Sequence, residues 1–160
     1  SAGYLPSTVE RVPIHTAPSV NAGIRNRTAR RIEQLVNAPP AAIQKRLDEL
    51  DQEWDIERAL ETNASIATLV GLALGTSVDR RWLILPTAVG GFLLQHALQG
   101  WCPPLPILRR LGFRTSYEID AERYALKAMR GDFSKFSKAR PRKSPESKAA
   151  EAIATTEEKI

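Results

Sequence analysis

The chain has 160 residues, enough for one modest domain, and a net charge of +5. Its single cysteine, Cys102, excludes an internal disulfide and a cysteine-cluster metal site. Between Thr62 and Leu108 the only charged residues form one short group, residues 79–81, whereas charges are frequent on either side. This contrast predicts an apolar middle flanked by water-exposed segments.

The first sixty residues predict an extended arm followed by two amphipathic helices. Residues 1–20 hold three prolines and show no sustained hydrophobic period, which is typical of an arm. A helix over residues 21–37 is expected to end before Pro39 and Pro40, because the residue preceding a proline avoids helical backbone. A second helix over residues 40–61 is more strongly amphipathic. The residues expected on its apolar face are Ile43, Leu47, Leu50 and Trp54.

The middle of the chain, residues 62–114, predicts a membrane hairpin of two transmembrane helices. Its second span, about residues 82–101, begins at Trp82 and ends at Trp101. Along a helix these two residues are roughly 28 Å apart, close to the about 30 Å thickness of the hydrocarbon layer. The first span, about residues 64–78, is shorter and would have to tilt little or thin the bilayer.

Aromatic and basic residues mark the expected membrane interfaces, because indole rings and arginines prefer the headgroup region. The predicted interface residues are Trp82, Trp101, Arg80, Arg81, Arg109 and Arg110. Seven lysines and arginines lie close to the outer ends of the hairpin, against two in its connecting loop. The positive-inside rule then places both termini in the cytoplasm.

Small and polar residues are expected to hold the two spans together, because lipid supplies no hydrophobic force between helices. The predicted packing residues are Ser65, Ala67, Thr68, Gly71 and Gly75 in the first span and Gly90, Gly91, Gln95 and Gln99 in the second. In an antiparallel pair, Gln95 and Gln99 should hydrogen-bond Thr68 and Ser65. Each such bond is worth about 1 kcal/mol or less.

A further helix and a basic tail complete the chain. Thr115 and Glu118 form a capping-box pattern that predicts a helix within residues 115–131, with Gly131 just past its end. Residues 132–160 are rich in Lys, Ser, Pro and Ala, which is typical of disorder. Five basic residues there are expected to attract anionic lipid. They are Lys135, Lys138, Arg140, Arg142 and Lys143.

Three groups of residues have both a chemical and a structural interpretation. Cys102 lies close to Arg109 and Arg110, whose charges would make its thiol more reactive. The alternative is a small residue packed where the helix ends. His96 could ligate a metal or haem, but no second histidine lies close to it, which favours a helix-packing role. The carboxylates of residues 40–61 are typical of a solvated face, and the sequence predicts no catalytic site, metal site or cofactor.

Residues 97–103, with the hairpin that precedes them, resemble the YgaP-like transmembrane domain, a small family of bacterial inner-membrane proteins. The sharpest part of the resemblance is Gly100-Trp101-Cys102. The resemblance covers about residues 62–114 and implies a location in the bacterial inner (plasma) membrane and a hairpin able to dimerise or dock. In some relatives the hairpin is fused to a rhodanese sulfurtransferase domain, which implies sulfur handling there. This chain has no rhodanese pattern and no catalytic cysteine loop.

We therefore expect an all-α protein in which a membrane hairpin is flanked by amphipathic cytoplasmic helices and a disordered basic tail. Its expected role is that of a non-catalytic accessory or scaffold subunit. Its expected partners are the lipid bilayer and either another membrane protein or a second copy of the chain, and not nucleic acid. Two alternatives stand beside this one. They are a thiol-dependent sulfur carrier or sulfurtransferase partner using Cys102, and a soluble basic helical nucleic-acid-binding protein.

Overall fold

The computed structural model describes residues 5–134. These residues form six α-helices and two short 3-10 turns, without any strand in that range, so the prediction of an all-α chain is confirmed for this part. The helices are α1 (Pro18–Leu35), α2 (Pro40–Gln52), α3 (Ile56–Ser77), α4 (Ile84–Gln99), α5 (Leu105–Leu111) and α6 (Ser116–Arg130).

Helices α1, α2, α5 and α6, with the arm before α1, form a unit that we call the cap. Its core between α2 and α6 contains Ile43, Leu47 and Leu50 from the face predicted for α2. From α6 it receives Ile119 and Leu126. The capping box predicted at the start of α6 is present, since Thr115 and Glu118 bond each other's backbone N–H groups.

The predicted helix over residues 40–61 is two helices in the structure. Helix α2 ends at Gln52, and the Asp55 side chain then accepts a hydrogen bond from the Arg58 N–H at 2.9 Å, which starts α3. Because the helix starts at this side-chain contact, α3 runs without a break from Ile56 to Ser77 and includes the predicted first span. Trp54 consequently lies outside the apolar face and is 43 % exposed, with the Arg58 guanidinium 4.3 Å from its ring centre.

The described part of the predicted extended arm is folded. Residues 13–15 form a 3-10 turn, and α1 begins at Pro18, whose missing N–H costs nothing in the first turn of a helix. The Thr16 hydroxyl donates to the Val12 carbonyl at 2.9 Å, and the Asn21 amide donates to the Pro13 carbonyl at 2.8 Å. These bonds fold the arm back, so that Val12 is buried against α3 and α5.

Helices α3 and α4 pack side by side as an antiparallel hairpin. The charged group at residues 79–81 forms the tip of this hairpin. There the Asp79 carboxylate accepts a hydrogen bond from the Arg81 N–H, and residues 80–83 form a 3-10 turn. Helix α4 is shorter than the predicted second span, because Gly100 ends it with a left-handed backbone (φ 81°). A Cβ at Gly100 would lie 2.2 Å from the carbonyl oxygen of Arg11, so only glycine fits there.

Candidate functional site: the apolar hairpin and its polar base

The hairpin exposes large apolar side chains on both of its helices. No charged residue lies between Glu61 and Asp79, and none between Arg81 and Arg109. The exposed side chains are Ile66, Leu69, Val70, Leu72, Val78, Trp82, Leu83, Ile84, Phe92, Leu93, Leu94 and Leu98. Scattered surface leucines are ordinary, but a contiguous apolar surface of this kind marks a contact with a membrane or with another protein.

The small residues predicted to pack the hairpin have two different environments. Gly71 and Gly75 are buried, and a Cβ at either would lie 2.5 Å from a side-chain atom of Pro86 or Leu83. Gly90 and Gly91 instead lie on the open side of α4, where an added Cβ would meet no atom of the described residues within 4 Å. Gly71 and Gly75 therefore determine how closely α3 approaches residues 83–86 at the start of the second helix.

The predicted polar contacts between the two helices are not formed in the described part of the chain. Gln95 is half-buried, Gln99 and Ser65 are exposed, and Thr68 is half-buried beside Ala67. The hydrogen bonds found among residues 5–134 include none that joins either glutamine to Thr68 or Ser65. The polar contact that joins the two helices lies nearer the cap, between Glu57 and His96.

The residues predicted at the membrane interfaces separate into exposed and buried groups. At the tip, Trp82 is 45 % exposed and Arg80 and Arg81 are exposed as well. At the base, Arg110 is exposed and Trp101 is half-buried. These positions are free to meet water or headgroups.

The prediction that Arg109 lies at an interface is wrong, because its side chain is completely buried in the cap. The guanidinium donates to both carboxylate oxygens of Glu118, at 2.6 and 2.9 Å. It also donates to the Asn21 side chain at 2.8 Å, to the Thr16 hydroxyl at 3.2 Å and to the Phe113 carbonyl at 3.1 Å. A buried charge persists only when its donors are satisfied in this way. Arg109 thus joins the arm, α1, α5 and α6.

A second buried ion network joins α2 to α6. The Glu122 carboxylate, completely buried, accepts from Arg46 at 2.8 Å and from Arg114. Arg114 also forms a two-pronged pair with Glu53, at 2.8 Å for both contacts. Burial raises the pKa of Glu122, but the bonds and charges of Arg46 and Arg114 outweigh it and leave the pKa below its ordinary value. These charges stabilise the cap and are not available to a ligand.

At the base of the hairpin, a chain of three polar groups connects α3, α4 and the arm. The Glu57 carboxylate lies 2.9 Å from Nε2 of His96 through one oxygen and accepts from Arg11 at 2.8 Å through the other. Arg11 also donates to the carbonyls of His96 and Ala97, at 3.0 and 3.2 Å, which satisfies the end of α4. The sequence points to a packing role for His96 but not to Glu57 as its partner, because 39 residues separate them.

Cys102 follows α4 and is only 4 % exposed. It is part of the core that Val12, Ile56, Leu60 and Leu105 form between the hairpin and the cap. The cysteine is therefore a packed residue of the core between the hairpin and the cap.

No cluster of three metal-ligating side chains occurs within residues 5–134. The five residues predicted to contact anionic lipid, from Lys135 to Lys143, lie outside the described residues. None of the helices in the described range combines enough length with enough apolar character to cross a membrane.

Comparison of the chain with protein-family models, with curated proteins and with solved structures gives no match. The fold of residues 5–134 defines the class: in this range the chain is all-helical, and an apolar hairpin packs against a helical cap that contains buried ion pairs.

Proposed function

We propose that the chain is an integral membrane protein whose hairpin lies in the bilayer and whose cap lies on the cytoplasmic face. The observation that carries the proposal is the continuous set of exposed apolar side chains on α3 and α4, with charges only at the tip and the base. In water such a surface would drive association, whereas the hydrocarbon layer accepts it without cost.

The dimensions of the hairpin require some adjustment by the bilayer. Helix α4 has 16 residues, or about 24 Å, and the uncharged residues 62–77 of α3 have the same length. The hydrocarbon layer is about 30 Å thick. Local thinning of the bilayer accommodates this difference at a modest cost. The exposed side chains of Arg80 and Arg81 extend further from the tip and reach the opposite headgroups.

Orientation follows from the positive charges around the hairpin. Arg110 is exposed at the base, and most lysines and arginines lie on the cap side. The positive-inside rule then favours a cytoplasmic cap and two cytoplasmic termini. The resemblance of Gly100-Trp101-Cys102 to the YgaP-like transmembrane domain supports the inner membrane of a bacterium as the location.

Within the membrane we propose a non-catalytic accessory or scaffold role, with a second membrane protein or a second copy of the chain as partner. The open side of α4 at Gly90 and Gly91 supports this role, because adjacent small residues let another helix approach closely. A sulfur-carrier role is less well supported, since such a thiol must reach a partner protein and Cys102 is buried.

Fractionation of cells that produce the full chain, followed by an alkaline carbonate wash, tests the location. We expect the protein to remain in the membrane pellet and to be released only by detergent. A freely soluble protein would overturn the proposal, and salt-dependent DNA binding by that soluble protein would favour the nucleic-acid alternative. Sizing of the detergent extract tests the accessory role, which a clean monomer would contradict.

A further inference from the structure

A second exposed apolar surface lies beside the base of the hairpin, in addition to the apolar face of α3 and α4. Helix α5 exposes two large apolar side chains one turn apart, Ile107 (62 %) and Leu111 (71 %). Trp54 is exposed next to them, because it lines the same shallow depression as Leu111. The outer face of a helix in water ordinarily carries polar residues instead. We call this surface, together with the exposed side chains of Arg58 and Arg110, the collar.

The collar lies just below the uncharged part of the hairpin. Helix α5 packs against the first turns of α3 through Leu105, which shares a core with Ile56 and Leu60. Along α3 these two residues lie about 3–9 Å before Thr62, where the uncharged run begins. The headgroup region of a bilayer is about 5–8 Å deep on each side. A helix at the level of α5 therefore falls in the headgroup region when the uncharged run lies in the hydrocarbon layer.

The two arginines of the collar form no ion pair within residues 5–134. The Arg58 guanidinium lies 4.3 Å from the ring centre of Trp54, and the Arg110 side chain is exposed. Glu53, which also lines the depression, is already paired with a buried arginine of the cap. Indole rings prefer the membrane interface, and unpaired guanidinium groups bind phosphate oxygens strongly. The charges and the apolar side chains of the collar thus suit the same kind of surface.

We propose that the collar binds the headgroups of anionic phospholipids on the cytoplasmic side of the membrane. Trp54, Ile107 and Leu111 lie where the acyl chains begin, and the two arginines bind phosphates. This inference rests on the proposed membrane location and goes beyond it, because a hairpin can lie in a bilayer while its cap is held away from the surface. A second copy of the chain is the other occupant that such a surface could take, and the experiment below distinguishes the two.

The fluorescence of Trp54 measures the depth of the collar. The full chain with Trp82→Phe and Trp101→Phe retains Trp54 as its only tryptophan. It is reconstituted into vesicles of phosphatidylcholine and phosphatidylglycerol that carry a nitroxide quencher on the headgroup. We expect Trp54 to be quenched, and to be quenched less by a nitroxide deep in the acyl chains. A Trp54 that the lipid nitroxides leave unquenched overturns the inference. If aqueous iodide does not reach it either, a second copy covers the collar.

Two further proteins with one tryptophan each provide the controls. Val36→Trp, in a chain whose own tryptophans are all phenylalanine, should escape the lipid quenchers, because residue 36 lies beside the core of α2 and α6. Quenching of this residue equal to that of Trp54 would overturn the assignment to the collar. The chain that keeps only Trp82 reports the tip of the hairpin. A quenched Trp82 with an unquenched Trp54 overturns this inference alone, whereas no quenching of either overturns the proposed function as well.

The choice of headgroup has its own readout. In vesicles of one composition, bromine is placed on the acyl chains of either phosphatidylglycerol or phosphatidylcholine, and Trp54 should be quenched more by the brominated phosphatidylglycerol. Arg58→Gln with Arg110→Gln should abolish this preference, since each arginine near an anionic surface strengthens binding by about fivefold. Arg30→Gln with Arg31→Gln, at two exposed arginines of α1, is the matched control and should keep it. A preference that survives in the first double variant, or is absent from the parent, overturns the role of the two arginines.

Discussion

A carboxylate oxygen of Glu57 on α3 lies 2.9 Å from Nε2 of His96 on α4. This contact joins the two helices of the hairpin where they meet the cap. Arg11 completes the contact from the arm, at 2.8 Å from the other oxygen of Glu57. Burial raises the pKa of Glu57, but the hydrogen bond from His96 and the charges of His96 and Arg11 leave it below its ordinary value. The carboxylate therefore stays charged and holds both partners.

Glu57→Gln tests this contact. The substitution should lower the free energy of unfolding by about 1–3 kcal/mol, because Arg11 loses its ion pair and stays partly buried. Denaturant unfolding in detergent, followed by circular dichroism, measures the change. Glu61→Gln, an exposed glutamate one turn further along α3, is the control and should change stability by less than about 0.5 kcal/mol. Equal effects would show that the pair contributes nothing.

Arg109 and Arg110 are neighbours with opposite environments, and a pair of substitutions distinguishes them. Arg109→Met leaves the Glu118 carboxylate without its bidentate partner and should destabilise the cap by about 3–5 kcal/mol. Arg110→Met removes an exposed charge and should leave the midpoint of unfolding almost unchanged. If both arginines were interface residues, the two variants would instead behave alike in stability and differ from wild type in membrane binding.

The cap should lose stability in acid. Burial raises the pKa of Glu118, but the bonds from Arg109 and Thr115 outweigh it, and the pKa lies below its ordinary 4.5, as does that of Glu122. A depressed pKa gives stability that is fully present above 4.5 and is lost as the pH falls through the folded-state value. Unfolding free energies measured from pH 6 downward should decrease below about pH 4.5. Glu122→Gln should flatten this slope, and a flat wild-type profile would contradict the prediction.

The two pairs of hairpin glycines should respond differently to alanine. Gly71→Ala puts a methyl group 2.5 Å from Pro86 and should cost about 1–3 kcal/mol through overpacking. Gly90→Ala meets no atom of residues 5–134 within 4 Å and should be neutral or stabilise the monomer by about 0.5–1 kcal/mol. If another helix packs on Gly90, the same variant will weaken self-association or partner binding in detergent. Thermal unfolding and sizing of both variants provide the measurements.

Lysines placed on the exposed apolar face should oppose insertion. Leu69 and Leu94 are exposed near the middle of α3 and α4. A lysine at such a depth costs about 2.5–3.5 kcal/mol per residue, so Leu69→Lys combined with Leu94→Lys should shift the protein out of the carbonate-washed pellet. The matched control combines Val36→Lys with Tyr124→Lys, two substitutions at exposed residues of the cap. This variant should stay in the pellet. Identical partitioning of the two double variants would exclude the hairpin as the anchor.

The local features of this fold could be predicted from the sequence. The capping box at Thr115 involves residues three positions apart, and the buried face of α2 follows from the helical spacing of Ile43, Leu47 and Leu50. The turn of the hairpin at Asp79 follows from a break between two uncharged runs. Each of these signals depends on neighbours within one or two turns of helix, where backbone hydrogen bonding and side-chain period act directly.

Contacts between distant segments were decided by the tertiary structure alone. The sequence predicts Arg109 at an interface because it follows an apolar run, yet in the structure it is completely buried and paired with Glu118. Arg114 and Glu53, 61 residues apart, and Glu57 and His96, 39 apart, pair only because the packing of apolar faces brings them together. An ion pair leaves no periodic mark in a sequence, since its two charges need only meet after the hydrophobic contacts have set the positions of the helices.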